Sequence, residues 1–479
     1  MTSYRQELSR SLSLRDNILI TLSSVTPGSS VFIIIPPVIA AIGGASAVAF
    51  GAAALVGVLV AFCYAELSSA YPITGGEYAF AARTLGRATG FAMFLLALAG
   101  GVLTLSVIAL GTGDYLAVLA DDLGGKSIGL VVIAAATVVA CGNIRANALV
   151  VAAFLALEVL TLVVLTAVGF LHVSQPISVL WTAGTPGGAI SWGLVASYTA
   201  TAIFAYSGYG TAVYFAEETH DAGKTIGKAI LVSLGITVAA EMIPLVAVLL
   251  GTPSMDALVS AGNPMGYLLT TRAGETVNTL VSLGVAVAII NAVIAIMLQI
   301  GRLLYASARD GSWPDAIGRP LAKVNPRFRT PIAATITVGV LALLAAAFVP
   351  FDALLLATGA NLMLTYVVIA LSALVVRRRG KSGPYRMPGW PWVPVALLVA
   401  MAYVAYESVR ADVLPVVVAV AIMLAGYAWY AVYIHPRRAS RWTLPDPIVE
   451  VSGAPASSPA SSPSPASSPS PSSSSSPSS

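Results

Sequence analysis

Long apolar runs, separated by short polar stretches, repeat along most of the chain. A membrane span takes about 20 apolar residues. On that criterion spans are expected at 17–40, 44–67, 89–117, 127–141, 148–171, 192–215, 229–251, 277–305, 331–349, 352–376, 391–410 and 414–434. The fourth is short for a span. The pattern predicts an all-α polytopic membrane protein with twelve transmembrane helices. Its first run is broken in the middle by Thr26-Pro27-Gly28-Ser29-Ser30-Val31-Phe32. Pro27 removes a backbone donor and clashes with the preceding turn, and Gly28 adds conformational freedom. Two readings stand: a kink of the kind common in membrane helices, or a break that lines a cavity, where irregular backbone is tolerated at membrane depth.

Composition agrees with the membrane reading. Hydrophobic residues make up 57% of the chain and charged residues 10%, with mean hydropathy +0.86, whereas soluble domains carry about a quarter charged residues. The net charge of +4 does not point to nucleic acid, because the cations follow topology. With the N-terminus inside, the inner segments hold 22 of the 25 Lys and Arg; Lys126, Arg272 and Arg410 fall outside. Such a positive-inside bias predicts that both termini are cytoplasmic, and one missed span would scramble it. Cys63 and Cys141 have no ligand-spaced partner and read as packing residues, and His172, His220 and His435 form no metal cluster. No cleavable signal peptide is apparent, since Arg5, Arg10 and Arg15 precede a run long enough to span. Scarce Lys beside plentiful Arg and Ala suggests a bacterial inner membrane. The uncharged Ser/Pro/Ala tail beyond about 453 is expected to be disordered.

A second interruption, Ser207-Gly208-Tyr209-Gly210, lies in the sixth run at a depth similar to the first. Spans one and six correspond if the first ten form two five-span repeats, which must then be inverted, since five is odd. Paired interruptions in matching positions are the best sequence pointer to a transport site. The alternative is that Gly208 and Gly210 serve close helix packing.

Three signatures carry a family likeness: Tyr64-Ala65-Glu66-Leu67-Ser68 with Pro72-Ile73-Thr74-Gly75-Gly76-Glu77-Tyr78; Ala216-Glu217-Glu218-Thr219 with Lys228-Ala229-Ile230; and Arg302-Leu303-Leu304-Tyr305-Ala306 with Ala308-Arg309-Asp310-Gly311, Pro314 and Pro326 to Pro331. Pro384-Tyr385-Arg386-Met387-Pro388 with Pro391 and Pro394 adds to them. On these residues the chain resembles the amino acid–polyamine–organocation superfamily of secondary transporters, over about 14–436. The resemblance implies a LeuT-like fold, with repeats at 17–171 and 192–376 and two extra helices at 391–434. A cytoplasmic N-terminus (1–16) and tail (437–479) flank this 17–436 transporter domain. It also implies unwound centres in helices one and six that hold a zwitterion by backbone groups. Amides around Gly28, Ser29, Ser30 and Val31 would face a carboxylate, and carbonyls around Thr26, Phe204, Ala205 and Ser207 an ammonium, with Gly208 at the second break. Ser30 departs from the second glycine that the family often has, and Gly210 from an acidic residue often present in helix six.

Charges at membrane depth are costly and usually functional. Glu158 lies well inside the fifth run with no cation near it in sequence, and the resemblance places it where proton-coupled members often carry an ionisable group. Burial favours a neutral carboxyl, so Glu158 is the candidate for binding and releasing a coupling proton. A structural hydrogen bond is its alternative. Glu241 is a second candidate, with helix packing as the expected role. Tyr206 and Asn291 are candidate pocket walls, Asn291 with interhelical hydrogen bonding as its rival. The predicted function is proton-coupled symport of amino acids, neutral ones because neither break holds an acid. A polyamine or amine permease, an exchanger and a non-transporting sensor are the alternatives. No enzyme motif is present, no cofactor or metal is expected, and the coupling ion is H+ with Na+ as alternative. Expected partners are a small amino acid or amine and the lipid bilayer, not nucleic acid, with the chain a monomer or homodimer.

Overall fold

The computed structural model of the chain describes residues 12–72, 76–118, 125–142, 148–182, 191–327, 330–381 and 383–442. Part of the expected N-terminal segment, nearly all of the tail, Arg5, Arg10, Ile73 to Gly75, Arg145, Phe328 and Arg329 lie outside them. Among the described residues the architecture is helical, and an isolated bridge between Leu12 and Thr219 is the one β contact.

The helices are α1 (Leu14–Val25), α2 (Ile35–Ile42), α3 (Ser46–Ala70), α4 (Gly76–Thr84), α5 (Arg87–Leu110), α6 (Lys126–Cys141), α7 (Ala148–Leu171) and α8 (Trp192–Ala205). There follow α9 (Ala222–Gly251), α10 (Glu275–Arg309), α11 (Ile332–Phe348), α12 (Phe351–Arg378), α13 (Trp392–Ala411) and α14 (Val413–Trp429), with shorter helical turns between. Helix occupies each of the twelve intervals expected from hydropathy. Among the described residues eight stretches are long and apolar enough to cross a membrane, the first running from Leu14 to Ala70 and so containing two of those intervals. Helices α6, α8 and α11 are apolar but shorter.

The long helices are apolar on all sides instead of along one stripe, as expected of membrane spans. One side meets other helices, and the rest, with residues such as Leu171, Leu280 and Leu424, faces outward. A bilayer supplies no hydrophobic drive between helices, so association rests on close packing of small residues and on interhelical hydrogen bonds. The crossing of α7 and α9 shows the first. A Cβ on Gly169 would come within 2.4 Å of the Ala247 carbonyl oxygen, and one on Gly251 within 2.5 Å of the Gly169 oxygen. Only glycine allows this approach, which holds the helices carrying Glu158 and Glu241 against each other.

Two segments are broken and lie side by side. Asn17 near the start of α1 bonds Thr219, Val25 at its end meets Gly208, and Ser30 bonds Ala205. The contacts progress in opposite directions along the two segments, which therefore run antiparallel.

Candidate functional site

The first break is built by local chemistry. Helix α1 starts with a capping box in which Ser13 and Asp16 satisfy each other's backbone donors. It stops at Thr26, whose φ of 48° is left-handed. That conformation is unusual for a β-branched residue, and such strain concentrates at functional sites. Pro27 follows, with no N–H to continue the helix. After one turn, Pro27–Ser29, the chain widens into a π-helical stretch, Ser30–Ile34, before α2 begins. Single π turns of this kind are frequent at functional sites.

The amide that this break frees is occupied by Glu158. The Gly28 N–H donates to Glu158 Oε1 at 2.6 Å, across 130 positions of sequence. Glu158 is 5% exposed and sits in the middle of α7, where Thr161 Oγ1 donates to its carbonyl. The contact also explains why position 28 is glycine, since a Cβ there would lie 2.6 Å from Glu158 Cγ. The residue expected to carry the coupling proton and the amide expected to face a substrate carboxylate are thus hydrogen-bonded to each other.

The second break lies against the first. Helix α8 ends at Ala205, Tyr206 and Ser207 form a turn, Gly208 takes φ of 103°, and a 3-10 stretch covers Tyr209–Glu218. The Ser30 hydroxyl donates to the Ala205 carbonyl at 2.9 Å. Serine in place of a second glycine therefore ties the two breaks together. Three of the carbonyls expected to receive an ammonium already accept a hydrogen bond: Thr26 from Ser30 N–H, Phe204 from Ser207 N–H, and Ala205 from Ser30. Each retains a second lone pair. Ser29 and Val31 are buried, the Ser29 hydroxyl without a partner.

Other expected site residues divide. Tyr206 is 1% exposed, its ring edge-on to Phe50 at 5.5 Å, and its hydroxyl has no hydrogen-bond partner. Asn291 is half-buried on α10, a helix that packs against the Pro27–Ser29 turn, and no hydrogen bond links it to either break. Glu241, the second ionisable candidate, lies on α9 beside Ser30 and Tyr206, fully buried, with both carboxyl oxygens unpartnered. A cleft of about 250 Å³ reaches Phe32 and Ile33 from the far end of the bundle and is lined also by Asp114, Tyr115 and Asp352.

The Arg-rich end of the bundle is closed by ion pairs and straps that join residues far apart in sequence. Glu66, fully buried, accepts from Arg377 Nε at 2.6 Å, from its Nη2 at 2.9 Å and from Met387 N–H at 3.1 Å. Glu77 takes the hydroxyls of Tyr64 and Tyr214, joining α3 and the 3-10 stretch. Arg87 caps the carbonyls of Arg438, Arg441 and Trp442, and the Trp442 ring is buried among Tyr78, Phe91 and Phe94. The signatures around Glu66 and Pro384–Pro388 are visible in the sequence; their pairing across the fold is not.

Comparison with known proteins agrees with this architecture. The profile of a family described as amino acid permease matches residues 12–435. The chain is 26% identical over 418 residues to a methylthioribose transporter of Bacillus subtilis, covering 82% of this chain and 87% of that protein. It is 24% identical over 415 residues to the branched-chain amino acid permease BcaP of the same organism, with the same coverage. To the human cationic amino acid transporter 4 it is 26% identical over 415 residues, covering 80% of this chain and 62% of that protein. With the profile matched over nearly the whole chain, the protein belongs to the amino acid permease family, within the amino acid–polyamine–organocation superfamily.

Proposed function

We propose that the protein is a proton-coupled carrier that moves amino acids by alternating access, with Glu158 as the coupling group. The observation that carries this reading is the hydrogen bond from Gly28 N–H to Glu158 Oε1. An ionised Glu158 is itself a carboxylate seated on the amide that a substrate carboxylate would need. A hydrogen bond to an ionised acceptor is roughly twice as strong as a neutral one. Protonation weakens the hold and removes the like-charge repulsion, so the side chain can yield the amide to substrate. Proton and substrate then favour each other's binding, and by linkage the effect is reciprocal. The acid facing this pair from a neighbouring helix is Glu241 on α9, and no Lys, Arg or His is hydrogen-bonded to either acid among the described residues.

The antiparallel pairing of the two breaks supports an inverted five-helix repeat with twelve spans, two of them C-terminal additions. Together with the cation distribution it supports a plasma-membrane protein, of a bacterial inner membrane, with both termini cytoplasmic. The tight contacts at the Arg-rich end then describe a carrier closed towards the cytoplasm, with the cleft near Phe32 on the outer side. The names of the relatives span a thioribose, branched-chain and cationic amino acids, so the substrate has to be argued from the site.

Proteoliposomes test the reading. An inward proton gradient is expected to drive accumulation of a labelled amino acid, with proton influx in step. Accumulation that is equal with and without the gradient would falsify proton coupling.

A further inference from the structure

Beyond α14 the chain turns back under the Arg-rich end of the bundle, and residues 435–442 form a strap that ends in a plug. Trp442 is 2% exposed, with its ring centroid 5.1 Å from that of Phe91 and 5.6 Å from those of Phe94 and Tyr78. Phe91 and Phe94 are neighbours on one face of α5, and Tyr78 belongs to the short helix α4, so the indole is wedged against both helices. The backbone is fastened as well. Trp442 N–H donates to the Asp310 carbonyl, just past the end of α10, at 2.9 Å. Arg87, the first residue of α5, donates to the carbonyls of Arg438, Arg441 and Trp442. Trp442 takes a φ of 53° in this position, a left-handed conformation that is unfavourable for a bulky residue and persists only where its surroundings impose it. A segment that merely led out of the bundle would need none of these contacts.

What the plug holds is α4, and α4 has a second attachment. Tyr78 meets Trp442, whereas its neighbour Glu77, about 100° away around the helix, accepts from the hydroxyls of Tyr64 on α3 and Tyr214 on the 3-10 stretch of the second break. Gly76, with φ of 56°, lies so close to that stretch that a Cβ would stand 2.8 Å from Tyr214 Cζ and 3.0 Å from Val213 Cγ2. Consecutive residues of α4 thus touch the strap and the broken segment. The helix is also packed without slack against α5, since a Cβ on Gly90 would lie 2.3 Å from Ala82 Cβ. A displacement of Tyr78 is therefore passed to Glu77 and Gly76 within one turn of the same helix, and packed elements of this kind switch between discrete arrangements.

We infer that Trp442 is a positioning residue for the cytoplasmic gate. Seated against α4 and α5, it keeps Glu77 on Tyr64 and Tyr214 and so holds the second broken segment closed. The strap is then a brake on inward opening, and unseating it shifts the population towards the open state. This rests on the carrier reading, in which that segment moves, but neither on proton coupling nor on the identity of the substrate.

Hydrogen–deuterium exchange, read by mass spectrometry on the purified full-length protein in detergent without substrate, tests the inference. Local opening appears as faster amide exchange in the element that opens. Trp442→Ala is expected to speed exchange about tenfold in α4 and in Tyr209–Glu218, with α7 unchanged. Trp442→Phe, which refills the aromatic site, is expected to restore exchange close to the wild-type rate. Arg87→Gln loosens the strap without emptying the site; it should give the same pattern at smaller amplitude, and it serves where Trp442→Ala does not fold. Glu77→Ala should by itself speed exchange in Tyr209–Glu218, and Trp442→Ala added to it should have no further effect there, because the two act in series. Four results overturn the inference: unchanged exchange in Tyr209–Glu218, faster exchange throughout the chain, equal effects of the Ala and Phe variants, or effects of Trp442→Ala and Glu77→Ala that multiply. No gradient or substrate is present, so failure here leaves coupling through Glu158 standing, and failure of gradient-driven uptake leaves this inference standing.

Discussion

Glu66 and Glu241 are both fully buried glutamates in the same bundle, yet their surroundings are opposite. Glu66, at the Arg-rich end, receives two guanidinium nitrogens and a backbone N–H. Glu241, at the level of the breaks, receives nothing. A buried charge with both oxygens engaged is part of the frame: it locks α3, α12 and the Pro384–Pro388 loop in one arrangement. A buried carboxyl with none engaged contributes no native hydrogen bond of its own and does not lock its neighbours in one arrangement. Glu158 stands between them, with one oxygen on Gly28 N–H, an engagement that protonation can undo.

The largest expected effect breaks the frame side of the comparison. Arg377→Ala leaves the Glu66 charge buried without its partner and should cost about 3 kcal/mol, read as a marked fall in apparent Tm in detergent. Next is Gly28→Ala, which drives a methyl group to 2.6 Å from Glu158 Cγ. Overpacking of this kind costs about 1–3 kcal/mol, and separation of the two groups should also flatten the pH dependence of substrate affinity. Unchanged Tm and pH profile would mean that the contact at Gly28 is not made in the membrane.

Glu241→Gln sharpens the comparison by its sign. Because no native partner is lost, apparent Tm without ligand should be unchanged or higher, the reverse of Arg377→Ala; a drop as large as that of Arg377→Ala would make Glu241 a frame residue. The smallest effect belongs to the surface. Arg441 holds the Asp315 carboxyl below its usual range through a hydrogen bond and its charge. A depressed carboxyl contributes stability above its unfolded value and loses it as pH falls through the folded one. Asp315 is solvent-exposed, however, and exposed pairs contribute little. Asp315→Asn should therefore leave Tm unchanged at pH 7, and any Tm difference from wild type should shrink further on acidification.

The contrast between these glutamates also separates what sequence conveys from what it hides. Helix positions follow from apolar runs, and both breaks from Pro27-Gly28 and Ser207-Gly208, because backbone chemistry is local. The residues at which function is argued are nameable too, since a charge inside an apolar run stands out. Their partners are not. Gly28 and Glu158 are 130 positions apart, and nothing in either stretch tells that one's amide meets the other's carboxyl. The expectation of a neutral substrate rests on the breaks alone, whereas the acid beside them comes from α9, brought in by the glycine crossing at Gly169 and Gly251. Trp442 gives no signal at all, because its burial depends on aromatic neighbours at 78, 91 and 94 and on Arg87.

The central claim is that Glu158 exchanges a proton for its hold on the Gly28 amide. Gradient-driven uptake by Glu158→Gln in proteoliposomes tests it most directly. Glutamine can still accept from Gly28 N–H but cannot titrate. Accumulation driven by an inward proton gradient is therefore predicted to be lost, while equilibrium substrate binding remains, now independent of pH. Accumulation at the wild-type level across the same gradient would contradict the claim.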